Sequence, residues 1–255
     1  MIRFASLGSG SAGNALLVES GATRILVDCG FGLREAAFRL GRLGIDPGTL
    51  TGVVVTHEHG DHAGGVFTLA RRYRLPVWLS YGTLAACATR ADGVDVRIVE
   101  AHSRIALGDL EAIPYTVPHD AREPLQYVFT DGAHRLGVLT DAGEVTPHVR
   151  EMLDGMDGLV LECNHDPDLL AASDYPLPLR RRIAGRLGHL ANEAAAGLLR
   201  SIDCSRLQHV VAAHLSERNN RAELAVAALA GALGCAGEWV AVASQDEGLA
   251  WRALS

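Results

Sequence analysis

Thr56-His57-Glu58-His59-Gly60-Asp61-His62 is the stretch on which the reading of this chain turns. It places His57, His59, Asp61 and His62 within six consecutive positions, directly after the strand-like apolar run Val53-Val54-Val55. Imidazole and carboxylate suit borderline to hard divalent ions such as zinc, manganese or iron. Four such groups on one turn exceed what one closed site usually takes from so short a segment. Two metal ions sharing the turn account for them, and two-metal sites are hydrolytic machinery.

The 255 residues are expected to form one domain, residues 1–255, with 48% apolar residues to supply its core. No apolar run is long enough to span a bilayer, so no membrane association is expected. The start, Met1-Ile2-Arg3-Phe4-Ala5-Ser6, has no basic segment followed by an apolar one, so no signal peptide and a cytoplasmic location are expected. Cys29, Cys87, Cys163, Cys204 and Cys235 are odd in number, widely spaced and form no Cys-x-x-Cys. That argues against a disulfide framework and against a cysteine zinc site. The formal net charge of −7 lacks the basic footprint usual for nucleic-acid binders. Acidic metal ligands contribute to that charge and bound cations would offset it locally, so it does not exclude a polyanionic substrate.

No internal repeat or long linker is visible, and the chain reads as two similar halves. The first opens with strands at Ile2–Leu7, Ala15–Glu19 and Arg24–Asp28, then a helix near Gly32–Leu43. A strand at Val53–Thr56 leads into the metal turn, followed by a helix near Ala63–Tyr73, a strand at Leu75–Leu79 and a helix at Gly82–Thr89. Strands are expected near Asp95–Val99, Leu110–Val117, Leu125–Thr130 and Arg135–Thr140. The second half adds helices near Thr146–Met152, Asn192–Ser201 and Arg221–Leu233, strands at Gly158–Glu162 and His209–Ala213, and a terminal strand near Glu238–Ala243. Sheets with helices outside both halves give an α/β layered sandwich.

Each further candidate ligand follows an expected strand: His119 in Thr-Val-Pro-His-Asp, Asp141 in Leu-Thr-Asp-Ala-Gly, and His214 in Val-Ala-Ala-His-Leu. Strand ends are rigid platforms for loop residues that converge on one cleft. With Asp28 and the His57-x-His59-x-Asp61-His62 turn, this order resembles the metallo-β-lactamase superfamily over nearly the whole chain. The resemblance implies an α/β fold, the four-layer αββα sandwich of that superfamily. It implies that His57, His59 and His119 hold one metal, that Asp61, His62 and His214 hold the other, and that Asp141 bridges them. A hydroxide between ions about 3.5–4 Å apart would be the nucleophile, and Asp61 could also orient it. Asp28 would brace the metal turn; read on its own, it could equally be a plain turn former after a strand.

An aspartate at the bridging position, where antibiotic-hydrolysing zinc β-lactamases carry cysteine, points away from that activity. Ser9-Gly10-Ser11-Ala12-Gly13-Asn14 could present N–H groups to a phosphate or simply close a tight hairpin. With Leu161-Glu162-Cys163-Asn164-His165-Asp166, Gly188-His189-Leu190-Ala191-Asn192-Glu193, Tyr175-Pro176 and Arg180-Arg181-Arg182, it resembles the YycJ/WalJ group of that superfamily. Ala191 stands where the group usually has Ser. The group implies metal-dependent 5′ to 3′ exonuclease action on DNA, tied to repair. Wider relatives include tRNase Z and the PhnP phosphodiesterases.

His189 is the candidate proton donor to the leaving oxygen, paired by resemblance to tRNase Z with Glu162, although it could be only a contact at a helix N-terminus. Asn164 and His165 are candidate substrate contacts; His165 could instead be a loop histidine held by Asp166. Arg180, Arg181 and Arg182 could meet several phosphates or form a solvated helix face, and Arg218 is a further candidate phosphate contact. Two ions of zinc or manganese, with iron as an option, and DNA ahead of RNA are the expected cofactors and partner. The superfamily's habit allows a homodimer, though no interface stripe is visible. The competing readings are a small-molecule cyclic phosphodiesterase and a glyoxalase II-like thioester or lactone hydrolase, which share the metal set.

Overall fold

In the computed structural model, which describes residues 1–255, two seven-stranded mixed sheets lie against each other. The first is built from β1 (Ile2–Gly8), β2 (Ala15–Ser20), β3 (Thr23–Val27), β4 (Gly52–Val54), β5 (Val77–Leu79), β6 (Val96–Ile98) and β14 (Leu249–Leu254), in the order β14-β1-β2-β3-β4-β5-β6. The second is built from β7 (Ile105–Ala106), β8 (Glu111–Thr116), β9 (Leu125–Thr130), β10 (Arg135–Leu139), β11 (Gly158–Glu162), β12 (His209–Ala213) and β13 (Val240–Val242), in sequence order. In each sheet an antiparallel meander passes into a parallel half, and parallel strands need helical crossovers.

The strands are apolar on both faces because both faces are covered. Phe4, Val18, Ile25, Val27 and Val54 meet Tyr127, Phe129, Val138 and Val211 in the core between the sheets. Their neighbours Leu17, Leu26, Val53 and Val55 point the other way, under α1 (Leu33–Arg42), α3 (Val66–Tyr73) and α4 (Tyr81–Cys87). On the second sheet Val128, Leu139, Leu161 and Val210 pack under α5 (Pro147–Leu153), α8 (Asn192–Leu199) and α9 (Ala222–Leu233). Three cores between four layers make the αββα sandwich.

Several expectations are corrected. The strand into the metal turn stops at Val54, and the following helix is broken into α2 (Gly60–Ala63) and α3. Gly64 and Gly65 separate them because the Cys29–Phe31 turn crosses there: the Gly65 N–H donates to Cys29 O at 2.7 Å, and a Cβ on Gly65 would lie 1.8 Å from Phe31 O. The strand expected near Glu238–Ala243 is β13, but it is not the last: the chain continues into β14, which returns to pair with β1 in the first sheet. Two helices between Asn164 and Ala191, α6 (Pro167–Ala172) and α7 (Leu177–Ile183), were not foreseen.

The topology brings the C-terminal ends of β3, β4, β8, β10, β11 and β12 to one rim. There the buried Tyr127 hydroxyl donates to Val55 O at 2.9 Å, tying the chain just before the metal turn to the opposite sheet. Gly65→Ala drives a methyl into a backbone carbonyl and is expected to lower stability by about 1–3 kcal/mol. Gly41→Ala, in α1 with nothing within 4 Å of the added methyl, is expected to raise it by about 0.5 kcal/mol. Urea unfolding midpoints for the two variants check both signs.

Candidate metal centre

The turn after β4 delivers His57, and α2 then curls Asp61 and His62 back over it. His57 and His62 are fully buried, while His59 and Asp61 reach the cleft half-exposed. His119, Asp141 and His214 arrive from the ends of β8, β10 and β12 and are buried. Asp28, Asp141 and His214 adopt φ of +60°, +52° and +54°. Such conformations are uncommon outside glycine and persist only where surrounding bonds hold them, which happens most often at functional sites.

The donor atoms form two groups. Atoms of His57, His59 and His119 lie within 4.8 Å of one another, as do those of Asp61, His62 and His214. His119 Nε2 is 3.3 Å from His59 Nδ1, and Asp61 Oδ2 is 3.4 Å from His62 Nε2 and 3.6 Å from His214 Nε2. Bonds of about 2.0–2.1 Å around a tetrahedral ion give ligand–ligand edges of roughly 3.3–3.4 Å. Asp141 stands between the groups, with Oδ2 2.9 Å from His62 Nε2 and Oδ1 3.8 Å from His119 Nε2.

Unpartnered atoms test whether this set suits a cation. His57 Nε2, His214 Nε2 and Asp141 Oδ2 are buried without a hydrogen-bond partner, the Asp141–His62 approach lacking hydrogen-bond alignment. Unsatisfied buried groups are costly, and divalent ions would satisfy all of these. Glu162 also clusters with Asp141, His189 and His214, but its oxygens are occupied. Oε1 accepts from His189 Nδ1 (2.8 Å) and His214 Nδ1 (3.0 Å), and Oε2 from the Ala142 and Leu190 amides. It braces two of the candidate residues rather than offering a free oxygen of its own.

Three other ring nitrogens are held in the same way, which turns Nε2 of His57, His62 and His119 toward the cluster. His62 Nδ1 donates to Asp28 Oδ2 at 2.8 Å, and His119 Nδ1 to Gly188 O at 3.0 Å. Thr56 Oγ1 accepts from His57 Nδ1 at 3.0 Å and donates to Asp28 Oδ2 at 2.7 Å. Asp28 also accepts the Thr56 amide, so its carboxylate ties β3, β4 and two histidines together.

The electrostatics are those of tightly packed opposite charges. Burial pushes the Glu162 carboxyl up, but His189 and His214 outweigh it and hold it down to about 2. Burial alone would lower the His214 imidazole, yet Asp141, Asp61 and Glu162 raise it to about 10. His189 is likewise raised against burial by Glu162 and Asp141. The His62 imidazole is also raised against burial, by Asp141 and Asp28.

A cleft of about 240 Å³ opens beside the cluster, lined by His59, Asp61, Asp141, Asn164, Arg182 and His189, among others. His189 Nδ1 is held by Glu162, which leaves Nε2 for a substrate. Asn164 lines the cleft and donates from Nδ2 to His214 O at 3.1 Å. The arginine run is divided: Arg182 lines the cleft and pairs with Asp120, whereas Arg180 and Arg181 lie on the other side of α7. His165 is on that other side too, and Asp166 does not hold it but caps α6 by accepting the Asp168 and Leu169 amides. Arg218 lies outside the cleft, 5.6 Å over the ring of Tyr175, which lines it.

Of the Ser9–Asn14 loop, Ser11 lines the metal cleft, while the other amides are spent within the protein. The amides of Ser9, Gly10, Ala12, Gly13 and Asn14 all donate within the protein, the last to Asp61 O at 2.8 Å, and Ser9 Oγ accepts the His214 amide at 2.8 Å. The loop buttresses the metal turn. Sequence reading passed over Thr56, whose role appears only with Asp28 beside it. It also passed over Asp120, whose Oδ1 is buried, unpartnered and 3.5 Å from His119 Nε2. Adjacency to His119 was the one available signal.

Thr56→Val removes the hydroxyl between Asp28 and His57 at nearly constant volume; a 10–100-fold loss of metal affinity is expected, read by competition with a chromogenic chelator. Ala191 caps α8 without a side-chain hydrogen bond. Ala191→Ser is therefore expected to stabilise the protein by about 1 kcal/mol, read in thermal or urea unfolding.

A family model described as a β-lactamase superfamily domain matches residues 23–214. The exodeoxyribonuclease YycJ of Bacillus anthracis is 35% identical over 229 residues, 88% of this chain and 86% of the relative. The exodeoxyribonuclease WalJ of Streptococcus pneumoniae is 32% identical over 229 residues, 88% of this chain and 85% of that one. Among solved structures, the metallo-β-lactamase fold protein YhfI from Bacillus subtilis superposes with a TM-score of 0.76 at 16% identity, covering 99% of this chain and 100% of its own. A sandwich with its ligand set at one rim, a matching family model and relatives aligned over most of their length place this chain in the metallo-β-lactamase superfamily, as a metal-dependent hydrolase of the YycJ/WalJ group.

Proposed function

We propose that this protein is a two-metal phosphodiesterase that removes nucleotides from DNA in the 5′ to 3′ direction, in the cytoplasm and in the service of DNA repair. The observation that carries this reading is the His189–Glu162 pair beside the two donor groups. A thioester hydrolase expels a thiolate that leaves without a proton, whereas a phosphodiesterase must also protonate a poor alkoxide leaving group. The exodeoxyribonuclease names of the aligned relatives support DNA as the substrate.

On this reading His57, His59 and His119 hold one ion, Asp61, His62 and His214 hold the other, and Asp141 faces both. Zinc or manganese bound there would lower the pKa of water and offset the charge of a phosphodiester. The chain's own residues do the rest. His189 delivers a proton from Nε2 to the leaving oxygen, and Glu162 keeps its ring charged and aimed through the 2.8 Å bond at Nδ1. Asp61, at the open side of the cluster, orients the attacking water. Asn164 fixes the His214 peptide, and Arg182, paired with Asp120, borders the path of the strand. A cleft of about 240 Å³ takes a strand end rather than a duplex. It would also admit a cyclic phosphodiester, which is the second reading.

The test is digestion of 5′-labelled and 3′-labelled DNA and RNA by manganese-loaded protein. Stepwise loss from the 5′ end of DNA is expected, abolished in His59→Ala. In His189→Ala, kcat on DNA should fall by about 10²–10⁴ with metal content unchanged, while hydrolysis of a glutathione thioester, if any, stays as it was. Metal-replete protein that cuts only cyclic phosphodiesters, or neither polymer, overturns the reading.

A further inference from the structure

Consecutive residues at the end of β11 point into two different cavities. Asn164 lines the metal cleft; His165 lines a separate pocket of about 290 Å³ across α7 from it. The helix divides its side chains accordingly: Leu179, Arg182 and Ile183 face the cleft, and Leu177, Arg180, Arg181 and Ala184 face the pocket. Pro167, Leu170 and Ala171 of α6 complete a lining that joins five apolar residues to His165, Arg180 and Arg181.

His165 is only 3% exposed and its side chain makes no hydrogen bond within the protein, Nδ1 being buried and unpartnered. A buried imidazole without partners is unfavourable unless a ligand completes it. Arg180 binds Ala171 O across the pocket wall, and its Nε is also buried without a partner. Arg181 is exposed and makes no hydrogen bond to the protein.

We propose that this pocket is a nucleobase subsite, taking one base of the single strand whose backbone runs through the metal cleft; this rests on the nuclease reading above. Its chemistry is that of a flat ligand with apolar faces and a polar edge. Leu170, Leu177 and Pro167 offer surface for a ring face, guanidinium planes stack on bases, and His165 supplies a hydrogen-bonding edge. A phosphate would meet the arginines but leave the apolar floor uncovered. A seven-residue helix is about 10 Å long and roughly 10–12 Å across with its side chains, a separation that a few nucleotides of single strand bridge.

The test uses metal-loaded protein and 3′-fluorescein decadeoxynucleotides with cleavage-resistant phosphorothioate linkages. One is intact, and the others carry a single abasic residue at successive positions. Anisotropy titrations should show binding weakened about fivefold or more by an abasic residue at one position near the 5′ end. That penalty should vanish in Ala184→Phe and in Ala171→Phe, both exposed positions where a ring fills the pocket mouth. Each variant should bind the intact oligonucleotide as weakly as wild type binds the abasic one. Equal affinity for all abasic positions, a penalty that survives both substitutions, or no binding by wild type overturns the proposal. Base-dependent binding by protein that leaves ordinary labelled DNA uncut in the digestion assay above would sink the nuclease reading alone; digestion of that DNA with base-independent binding here would sink the subsite alone.

Discussion

Asp141 is a carboxylate buried to 2% exposure between two sets of imidazoles, with one oxygen unpartnered. A charge so placed is tolerable only if opposite charge surrounds it closely. His62 Nε2 and His214 Nδ1 lie 2.9 and 3.4 Å from the Asp141 oxygens, and the proposed pair of ions would supply positive charge in the working enzyme. The rest of the rim follows from this requirement. The proposed ligand histidines would have to present one nitrogen inward, so the other needs a fixed acceptor; for His62, His57, His119 and His214 the acceptors are Asp28, Thr56, Gly188 O and Glu162.

The sandwich makes this possible because its parallel halves end at one rim. β10, β11 and β12 run side by side in register, so Asp141, Glu162 and His214 emerge from adjacent strands of one rigid sheet. The opposite sheet supplies Asp28 and the metal turn from β3 and β4 in the same manner. Strain at the positive φ of Asp28, Asp141 and His214 is local, while the bonds that hold those residues join both sheets. Glu162 has a double duty: one oxygen aligns His214 and His189 together, coupling the metal ligands to the proposed proton donor.

Much of this was legible in the sequence because the information is local. His57 to His62 fall on one turn, and His119, Asp141 and His214 each close an apolar run that could only be a strand. What was missed depends on chain segments far apart or on short elements. β14 is an edge strand whose partner, β1, lies at the other end of the chain. α6 and α7 are too short for a periodic signal, although Asp166-Pro167 is a readable helix start. The arginine run was read as one patch, yet residues in a helix advance about 100° each. Arg180, Arg181 and Arg182 therefore could not all face one cleft. Ser9–Asn14 was read equally as a phosphate-facing loop and as a tight hairpin, and only the fold shows that most of its amides are already bound.

The most direct measurement is the metal content of the protein, by elemental analysis of zinc-loaded wild type and Asp141→Ala after gel filtration. The account predicts two ions per wild-type chain and loss of tight binding at both sites in the variant, because that one carboxylate faces both donor groups. One ion per chain, or two retained at unchanged affinity without Asp141, would contradict it.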